Sequence, residues 1–283
     1  MNYLYDESFE GFLTCVYHHW YTEKAEGIFS ERLYQLDLCR YAMTVETDEG
    51  KASRVLDAVT EKISKWDARR VYQAFCSNEP EKEMKLLRYI ALGFRKGPKI
   101  RLMHGDPVVK AVEAAERRVG VETHRLTGLI RFSEVRNAGD GSLLLYAKIE
   151  PDNDVLEFFA DHFADRFKSE PIIIHDLRRG KALFAFGRKW EIAALLPGVI
   201  GGEGSGRVCD TGTGSLRSAR DGGGMDSVGA GPAPLLEYSG REQGYSALWK
   251  QYFEVMATKE RVNPRCQRQF MPTRYHKHLT ELN

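Results

Sequence analysis

The chain has 283 residues, of which 42% are hydrophobic and 29% are charged, so it is long enough to bury a core without disulfides or a metal. This composition excludes an intrinsically disordered protein. The formal net charge of +1 excludes attraction of a polyanion by the field of the whole molecule, so any affinity for nucleic acid must come from local basic patches.

The N-terminal half of the sequence favours helices. Residues 2–6 have the pattern of a short strand, and a strand pair is predicted around 33–46. Apolar residues recur at helical spacing after the candidate caps Ser8 and Thr47, and prolines suit the first turns of two later helices. The predicted helices follow Ser8 and Thr47 and then span 67–77, 80–95 and 107–119.

The C-terminal half favours strands. Residues 137–141, NAGDG, are typical of a hairpin turn, and a single amphipathic helix is predicted at 155–167. One helix is too few for a parallel doubly wound sheet. We therefore predict an α+β fold with a largely helical N-terminal half and an antiparallel sheet with one inserted helix in the C-terminal half. The predicted strands are 123–133, 142–149, 171–176 and 181–187.

The glycine-rich composition of residues 198–233 predicts a disordered surface insertion, which divides the chain. The main α+β domain then spans 1–197. Residues 234–283 form a C-terminal segment, in which a helix near 241–257 and a basic arm dock on the main domain.

The five cysteines are odd in number and far apart, which is typical of reduced thiols and gives no basis for an iron-sulfur cluster or a structural zinc in this chain. Residues 1–12 lack the basic start and apolar core of a signal peptide. No run approaches the roughly 18 apolar residues that span a bilayer. We therefore expect a cytoplasmic protein that does not bind membranes.

Two segments of the predicted sheet carry candidate site residues. Alternation along 123–133 places Arg125 and Arg131 on one face, where they could bind phosphates or form an ordinary salt-bridged surface. The run PIIIHDLRRGKALF ends a buried strand with His175 and Asp176. These two residues could transfer protons while Arg178 and Arg179 hold phosphate, although a hairpin capped by Asp176 explains the same pattern. We therefore predict His175 and Asp176 as candidate catalytic residues. The candidate nucleic-acid-binding residues of the sheet are Arg125, Arg131, Arg178 and Arg179.

A basic arm near the C-terminus is the third candidate. Its cations can neutralise phosphates and its aromatic rings can stack on bases, which is typical of a nucleic-acid surface, whereas the alternative is a solubilising tail. The residues that we expect to contact nucleic acid there are Arg261, Arg265, Arg268, Phe270, Arg274 and Tyr275.

Several segments together resemble a known family over nearly the whole chain. They are LYDESFEGFLT, ETHRLTGLIRF, YAKIEPDNDVLEFFADHFADRF, PIIIHDLRRGKALF and KERVNPRCQRQFMPTRYHKHLTEL. The family is one of DNA metabolism proteins, often encoded beside a radical SAM DNA modification or repair protein. A similar domain is found fused to uracil-DNA glycosylase-like domains.

The resemblance implies that DNA and a radical SAM protein are the partners. The iron-sulfur cluster and S-adenosylmethionine are then expected only in that partner, with no cofactor in this chain. The leading hypothesis is a DNA modification or repair accessory protein that binds nucleic acid. Two alternatives stay open: an enzyme that acts directly on a nucleobase or the DNA backbone, and a protein-interaction adaptor without nucleic-acid contact.

Overall fold

The structure of the protein is a computed structural model that describes residues 1–32, 34, 41–195, 200–201, 236–256, 265 and 269–282. The chain divides into two compact units. Unit 1 comprises Met1–Gly128 and Pro151–Val155, and unit 2 comprises Leu129–Glu150 and Leu156–Asn283. The division falls inside the range 1–197 that the sequence analysis treats as one domain. The predicted insertion at 198–233 lies outside the described residues, apart from 200–201.

Unit 1 combines a small sheet with a group of helices. Its three strands are all parallel in the order β2-β1-β3, so the N-terminal strand lies in the middle. Of the strand pair predicted around 33–46, the structure describes β3, while 33 and 35–40 lie outside the described residues. The elements are β1 (Asn2–Tyr5), α1 (Phe9–Tyr21), β2 (Gly27–Ser30), β3 (Ala42–Thr44), α2 (Glu49–Lys62), α3 (Lys65–Phe75), α4 (Lys82–Lys96) and α5 (Pro107–Leu129).

Side-chain caps begin the first three helices. The Ser8 side chain accepts a hydrogen bond from the Gly11 backbone N–H, as the sequence predicts. At the start of α2 the cap is Asp48 and not Thr47, because the Asp48 carboxylate accepts from Lys51 N–H while the Thr47 hydroxyl donates to Asp6.

A buried polar network fixes the relative positions of α3, α4 and α5. The Tyr89 hydroxyl donates to Asp67 at 2.6 Å and accepts from Arg70 at 3.2 Å. Arg70 also donates to Glu116 at 2.7 Å. Asp67 and Tyr89 are fully buried. Because buried polar groups are costly when unpaired, this network specifies how the three helices pack.

Unit 2 is built on a sheet in the order β8-β7-β6-β5-β4-β10-β9. Two 3₁₀ turns, Thr273–His278 and Thr280–Leu282, come last among its described elements. The elements are β4 (Ser133–Asn137), β5 (Leu143–Ile149), α6 (Leu156–Arg166), β6 (Ile172–Asp176), β7 (Lys181–Phe186), β8 (Lys189–Ala194), β9 (Ile200–Gly201), β10 (Leu236–Tyr238) and α7 (Glu242–Met256).

The sheet differs from the prediction because it is mixed. The NAGDG hairpin is confirmed, since β4 and β5 are antiparallel and Gly141 N–H donates to the Asn137 carbonyl. However, β5 and β6 are parallel, because α6 forms a crossover between them. This crossover brings the carboxyl ends of β5 and β6 to the same edge of the sheet, and that edge carries the candidate site.

Helix α6 covers one face of this sheet. Its buried residues include Phe159 and Phe163, and Asp161 accepts a hydrogen bond from the indole N–H of Trp190. Trp190 pairs with Ala185, whereas Ala182 pairs with His175. Since side chains alternate along β7, Trp190 and His175 lie on opposite faces. His175 therefore lies on the face away from α6.

The predicted strand at 123–133 is wrong, because α5 continues to Leu129. Val119, Glu122 and Leu126 are buried at helical spacing. The Thr127 hydroxyl donates to the Thr123 carbonyl one turn earlier, a contact that suits a helix. Short apolar stretches with β-branched residues fit the spacing of a strand and that of a helix. Here the burial of one face of α5 favours the helix.

The fold class is nevertheless confirmed: the N-terminal half is mainly helical and the C-terminal half carries the larger sheet. Across the described ranges, every helix is too short or too polar to span a bilayer.

Candidate nucleic-acid interface

Three polar side chains lie together on the sheet face away from α6. Tyr146 pairs with Ile173, and Lys148 pairs with His175, in the parallel register of β5 and β6. Paired residues project to the same face, and so do residues two positions apart on one strand. Tyr146, Lys148 and His175 therefore share a face near the carboxyl ends of both strands.

The centre of this group is a buried hydrogen bond. The Tyr146 hydroxyl lies 2.8 Å from His175 Nδ1, and both side chains are buried. The Lys148 ammonium lies 6.0 Å from the centroid of the Tyr146 ring and 5.7 Å from that of Tyr238. Tyr238 is 39% exposed, so Lys148 connects the buried pair to an aromatic ring at the surface.

The 3₁₀ turn Thr273–His278 adds two more groups, Lys277 and His278, to this edge of the sheet, where both lie beside Glu150. Glu150, which directly follows β5, forms an ion pair with Lys277, and its Oε1 lies 3.3 Å from His278 Nε2. Burial alone would raise the pKa of Glu150, but Lys277 and His278 outweigh it and lower that pKa. We call Tyr146, Lys148, Glu150, His175, Lys277 and His278 the sheet-end cluster.

His278 is the half-buried histidine of the sheet-end cluster. Burial lowers its pKa, the Glu150 carboxylate opposes this shift, and the charges of Lys277 and Lys148 add to it. An imidazole with a lowered pKa is largely neutral at neutral pH. Lys148 and Lys277 therefore supply positive charge to the cluster, His278 adds little, and Glu150 offsets part of this charge.

His175 and Asp176 do not form the proton-transfer pair that the sequence suggested. Consecutive strand residues project to opposite faces, and the Asp176 carboxylate is engaged elsewhere. It accepts from the backbone N–H groups of Arg178 and Arg179 at 3.0 and 3.3 Å, and from the Arg179 guanidinium at 2.9 Å. Burial raises the pKa of Asp176, although Arg179 opposes the shift. Asp176 therefore caps the turn, and Tyr146 is the partner of His175.

The turn after β6 presents its cations at the same edge of the sheet. Arg178 is exposed, and Arg179 is tied to Asp176. Lys181 begins β7 opposite Asp176. These residues extend the basic character of the edge that carries the sheet-end cluster.

Arg125 and Arg131 do not share a strand face, because Arg125 lies on α5 in unit 1 and Arg131 lies in the link before β4 in unit 2. The Arg131 guanidinium donates to both carboxylate oxygens of Glu281, at 2.7 and 3.3 Å, and lies 5.4 Å from the Trp249 ring centroid. Trp249 donates to the same carboxylate. Arg131 therefore anchors the 3₁₀ turn Thr280–Leu282.

The basic arm is described only in part. Arg261 and Arg268 lie outside the described residues. Arg265 is exposed and Phe270 is 64% exposed, so both are accessible to a ligand.

The stacking role predicted for Tyr275 is wrong. Tyr275 is 3% exposed, its hydroxyl accepts from Arg274 at 2.7 Å, and the Arg274 guanidinium lies over its ring. The ring is part of the packing of unit 2 and has no surface on which a base can stack.

A groove of about 580 Å³ lies at the other end of the same strands. Leu144, Ile173 and Phe184 line it together with Trp190, and His175 and Asp176 are not among its lining residues. The lining is mainly apolar, with Lys189 and Glu191 as its charged residues.

Tyr146, Lys148 and Glu150 were not among the predicted site residues. A signal for them exists in the segment YAKIE, where these three residues alternate with the apolar Ala147 and Ile149. Polar residues on one face of a strand whose other face is apolar indicate a surface. The missed partner His278 gives no such signal, because only the fold brings it to Glu150.

Residues 80–281, which include all of the sheet-end cluster, match a domain family of unknown function, DUF4130. No curated protein and no solved structure matches the chain. Because the matched range covers most of the sequence, the chain belongs to the DUF4130 family.

Proposed function

We propose that this protein binds DNA through the sheet-end cluster and serves DNA modification or repair as an accessory factor. One observation carries the proposal: three segments far apart in the sequence bring Lys148, Lys277 and two histidines to one edge of the sheet, beside the partly exposed ring of Tyr238. Lysines neutralise phosphates, and an exposed ring can stack on a base. Both are recurring parts of nucleic-acid surfaces.

The charge balance at this edge supports the same proposal. Three carboxylates in the segments that meet at this edge accept from a cation: Glu150 from Lys277, Asp176 from Arg179, and Glu281 from Arg131. Cations outnumber carboxylates in these segments, so the formal charge there is positive and favours a polyanion. The cations beyond these three pairs are Lys148, Arg178, Lys181 and Arg274.

The DNA context and the radical SAM partner come from the resemblance of the sequence. In this proposal the partner supplies the iron-sulfur cluster and S-adenosylmethionine, and this chain holds the substrate. The division of roles predicts that a complex of the two proteins binds DNA more tightly than the radical SAM protein alone, which fluorescence anisotropy can measure. Equal DNA affinities of the complex and of the radical SAM protein alone would contradict the accessory role.

Direct binding is tested with a short labelled DNA duplex and a matching single strand. Lys148→Gln removes the charge and keeps a polar side chain, so we expect weaker binding than wild type. Lys168→Gln is the matched control, because Lys168 is exposed just after α6 and is not part of the sheet-end cluster. Equal affinities of wild type and both variants would contradict the proposed interface, provided that circular dichroism shows them folded.

A second candidate function, an enzyme acting on a nucleobase or the DNA backbone, is favoured by the buried hydrogen bond between Tyr146 and His175. A histidine oriented by a hydrogen bond can transfer protons at neutral pH. The test incubates labelled DNA with wild type and with His175→Gln and examines strands and nucleosides. A change made by wild type and lost in the variant supports the enzyme, and unaltered DNA contradicts it.

A further inference from the structure

Unit 1 carries a second basic surface, where the ends of α2 and α4 meet the start of α3. The backbone of Gly97 lies beside the Lys62 carbonyl oxygen. The 3₁₀ turn Gly97–Leu102 then brings the Arg101 guanidinium to 5.6 Å from the centroid of the Trp66 ring. We call Lys62, Lys65, Trp66, Lys96, Lys99 and Arg101 the helix-end patch.

The cations of the helix-end patch are all exposed. In the part of the chain that the structure describes, none of them forms an ion pair with a carboxylate. The nearest acidic neighbour in sequence, Glu61, is exposed on α2. Asp67, which follows Trp66, is fully buried and held by Ser64 and Tyr89. Repulsion among these cations is therefore not relieved within the patch.

Helix dipoles explain only part of this arrangement. Lys62 and Lys96 lie in the last turns of α2 and α4, where a cation stabilises a helix. Lys65 is the first residue of α3, where the dipole disfavours a cation. Lys99 and Arg101 lie in the short 3₁₀ turn. A positive surface that local stability does not require fits an anionic ligand.

Two tryptophan rings are exposed here, one within the helix-end patch and one beside it. Trp66 is 53% exposed and Trp20 is 42% exposed. The Trp20 ring packs edge-on against Phe94, and the Lys62 ammonium lies 5.7 Å from the Phe94 ring centroid. Large exposed rings are costly in water, and rings flanked by cations form the usual platform for unpaired bases. The Trp66 ring contacts the Arg101 guanidinium, and the next residue, Asp67, is anchored in the buried network.

We propose that the helix-end patch binds single-stranded nucleic acid, with the backbone phosphates on its lysines and Arg101 and a base stacked on Trp66. This inference rests on the proposed nucleic-acid function, and it adds a second surface and a preferred strand form. A duplex hides the faces of its bases, whereas an unpaired strand offers them to the ring. The two surfaces lie in different units and are tested with separate variants.

The test compares Trp66→Ala with wild type in the full chain, using labelled oligothymidine and an abasic oligonucleotide of the same length. Loss of stacking should weaken oligothymidine binding roughly 5- to 150-fold, and it should leave binding to the abasic strand nearly unchanged. Lys99→Gln should weaken binding to both strands, because both carry phosphates. Tyr41→Ala is the matched control, since Tyr41 is 87% exposed in the same unit and no described cation lies over its ring.

The outcomes separate this inference from the proposed function. The inference is overturned if Trp66→Ala binds oligothymidine as tightly as wild type does, or if it loses affinity for oligothymidine and for the abasic strand equally. In either case, a loss of DNA affinity in Lys148→Gln still supports the sheet-end cluster. If only Trp66→Ala and Lys99→Gln lose affinity, the inference stands and the sheet-end cluster fails. If Trp66→Ala and Lys99→Gln lose binding to phosphatidylserine vesicles but bind oligothymidine as wild type does, the helix-end patch is a membrane-binding surface and the inference is overturned.

Discussion

The Tyr146 hydroxyl lies 2.8 Å from His175 Nδ1, and this hydrogen bond joins β5 to β6 through side chains as well as through the backbone ladder. Tyr146 is 2% exposed and His175 is 8% exposed. At such burial, a polar group that loses its partner cannot readily recover the lost hydrogen bond from bulk water. The pair therefore fixes the position of the imidazole beside Lys148, its neighbour on β5.

The first prediction concerns Tyr146→Phe, which removes only the hydroxyl. We expect the free energy of unfolding to fall by about 1–3 kcal/mol, because the buried imidazole loses a partner. Urea unfolding followed by circular dichroism measures this change. Tyr245→Phe is the control, because Tyr245 is 50% exposed in α7. A loss as small as that of the control would show that the hydrogen bond does not stabilise unit 2.

The second prediction concerns Glu281, whose side chain is 1% exposed. Burial alone would raise the pKa of Glu281, but hydrogen bonds from Arg131 and Trp249 outweigh it and lower that pKa below its ordinary 4.5. Glu281→Gln should therefore reduce stability at neutral pH by about 2–3 kcal/mol, which is typical of hydrogen bonds to charged groups.

The pH dependence of this loss has a defined sign. A carboxylate whose pKa is lower in the folded state stabilises the protein above its unfolded pKa, and this stabilisation is lost as the pH falls through the folded-state pKa. The difference between wild type and Glu281→Gln should be full above pH 4.5 and shrink below it. Thermal unfolding across this range measures it, with the exposed Glu191→Gln as control. A difference that does not change with pH would contradict the ion pair.

The third prediction concerns Glu122 and the loop Pro151–Val155 of unit 1. The buried Glu122 carboxylate accepts from the backbone N–H groups of Asp152 and Asn153 at 3.0 and 2.8 Å, and from the Asn153 amide. Glu122→Gln replaces one acceptor oxygen with a donor, so we expect a loss of about 1–3 kcal/mol and faster hydrogen exchange in this loop. Unchanged exchange at Asp152 and Asn153 would show that other contacts hold the loop.

Much of the fold could be predicted from the sequence, because caps and periodicity are local signals. Ser8 and the NAGDG turn behaved as expected. Residues 123–129 were predicted wrongly because their apolar residues satisfy both strand and helix spacing, and burial of Val119 and Leu126 favours the helix. The parallel pairing of β5 and β6 could not be predicted either, since it depends on where the α6 crossover returns the chain.

The candidate site could be predicted only in part. His175 was found because it ends a strand of isoleucines, but its partner was assigned to the adjacent Asp176. Proximity in sequence is misleading there, because alternation separates neighbours on a strand. Glu150 and His278 meet only through the tertiary fold, and Tyr275 was assigned to the surface although its ring packs inside.

The most direct test of the central claim is the salt dependence of DNA affinity. Each phosphate contact contributes about one unit to the slope of log affinity against log salt concentration. If the lysines of the sheet-end cluster contact phosphates, the double variant Lys148→Gln, Lys277→Gln should bind more weakly and with a slope flatter by about two units than wild type, while Lys168→Gln keeps the wild-type slope. A double variant that is folded and retains the wild-type affinity and slope would contradict the account.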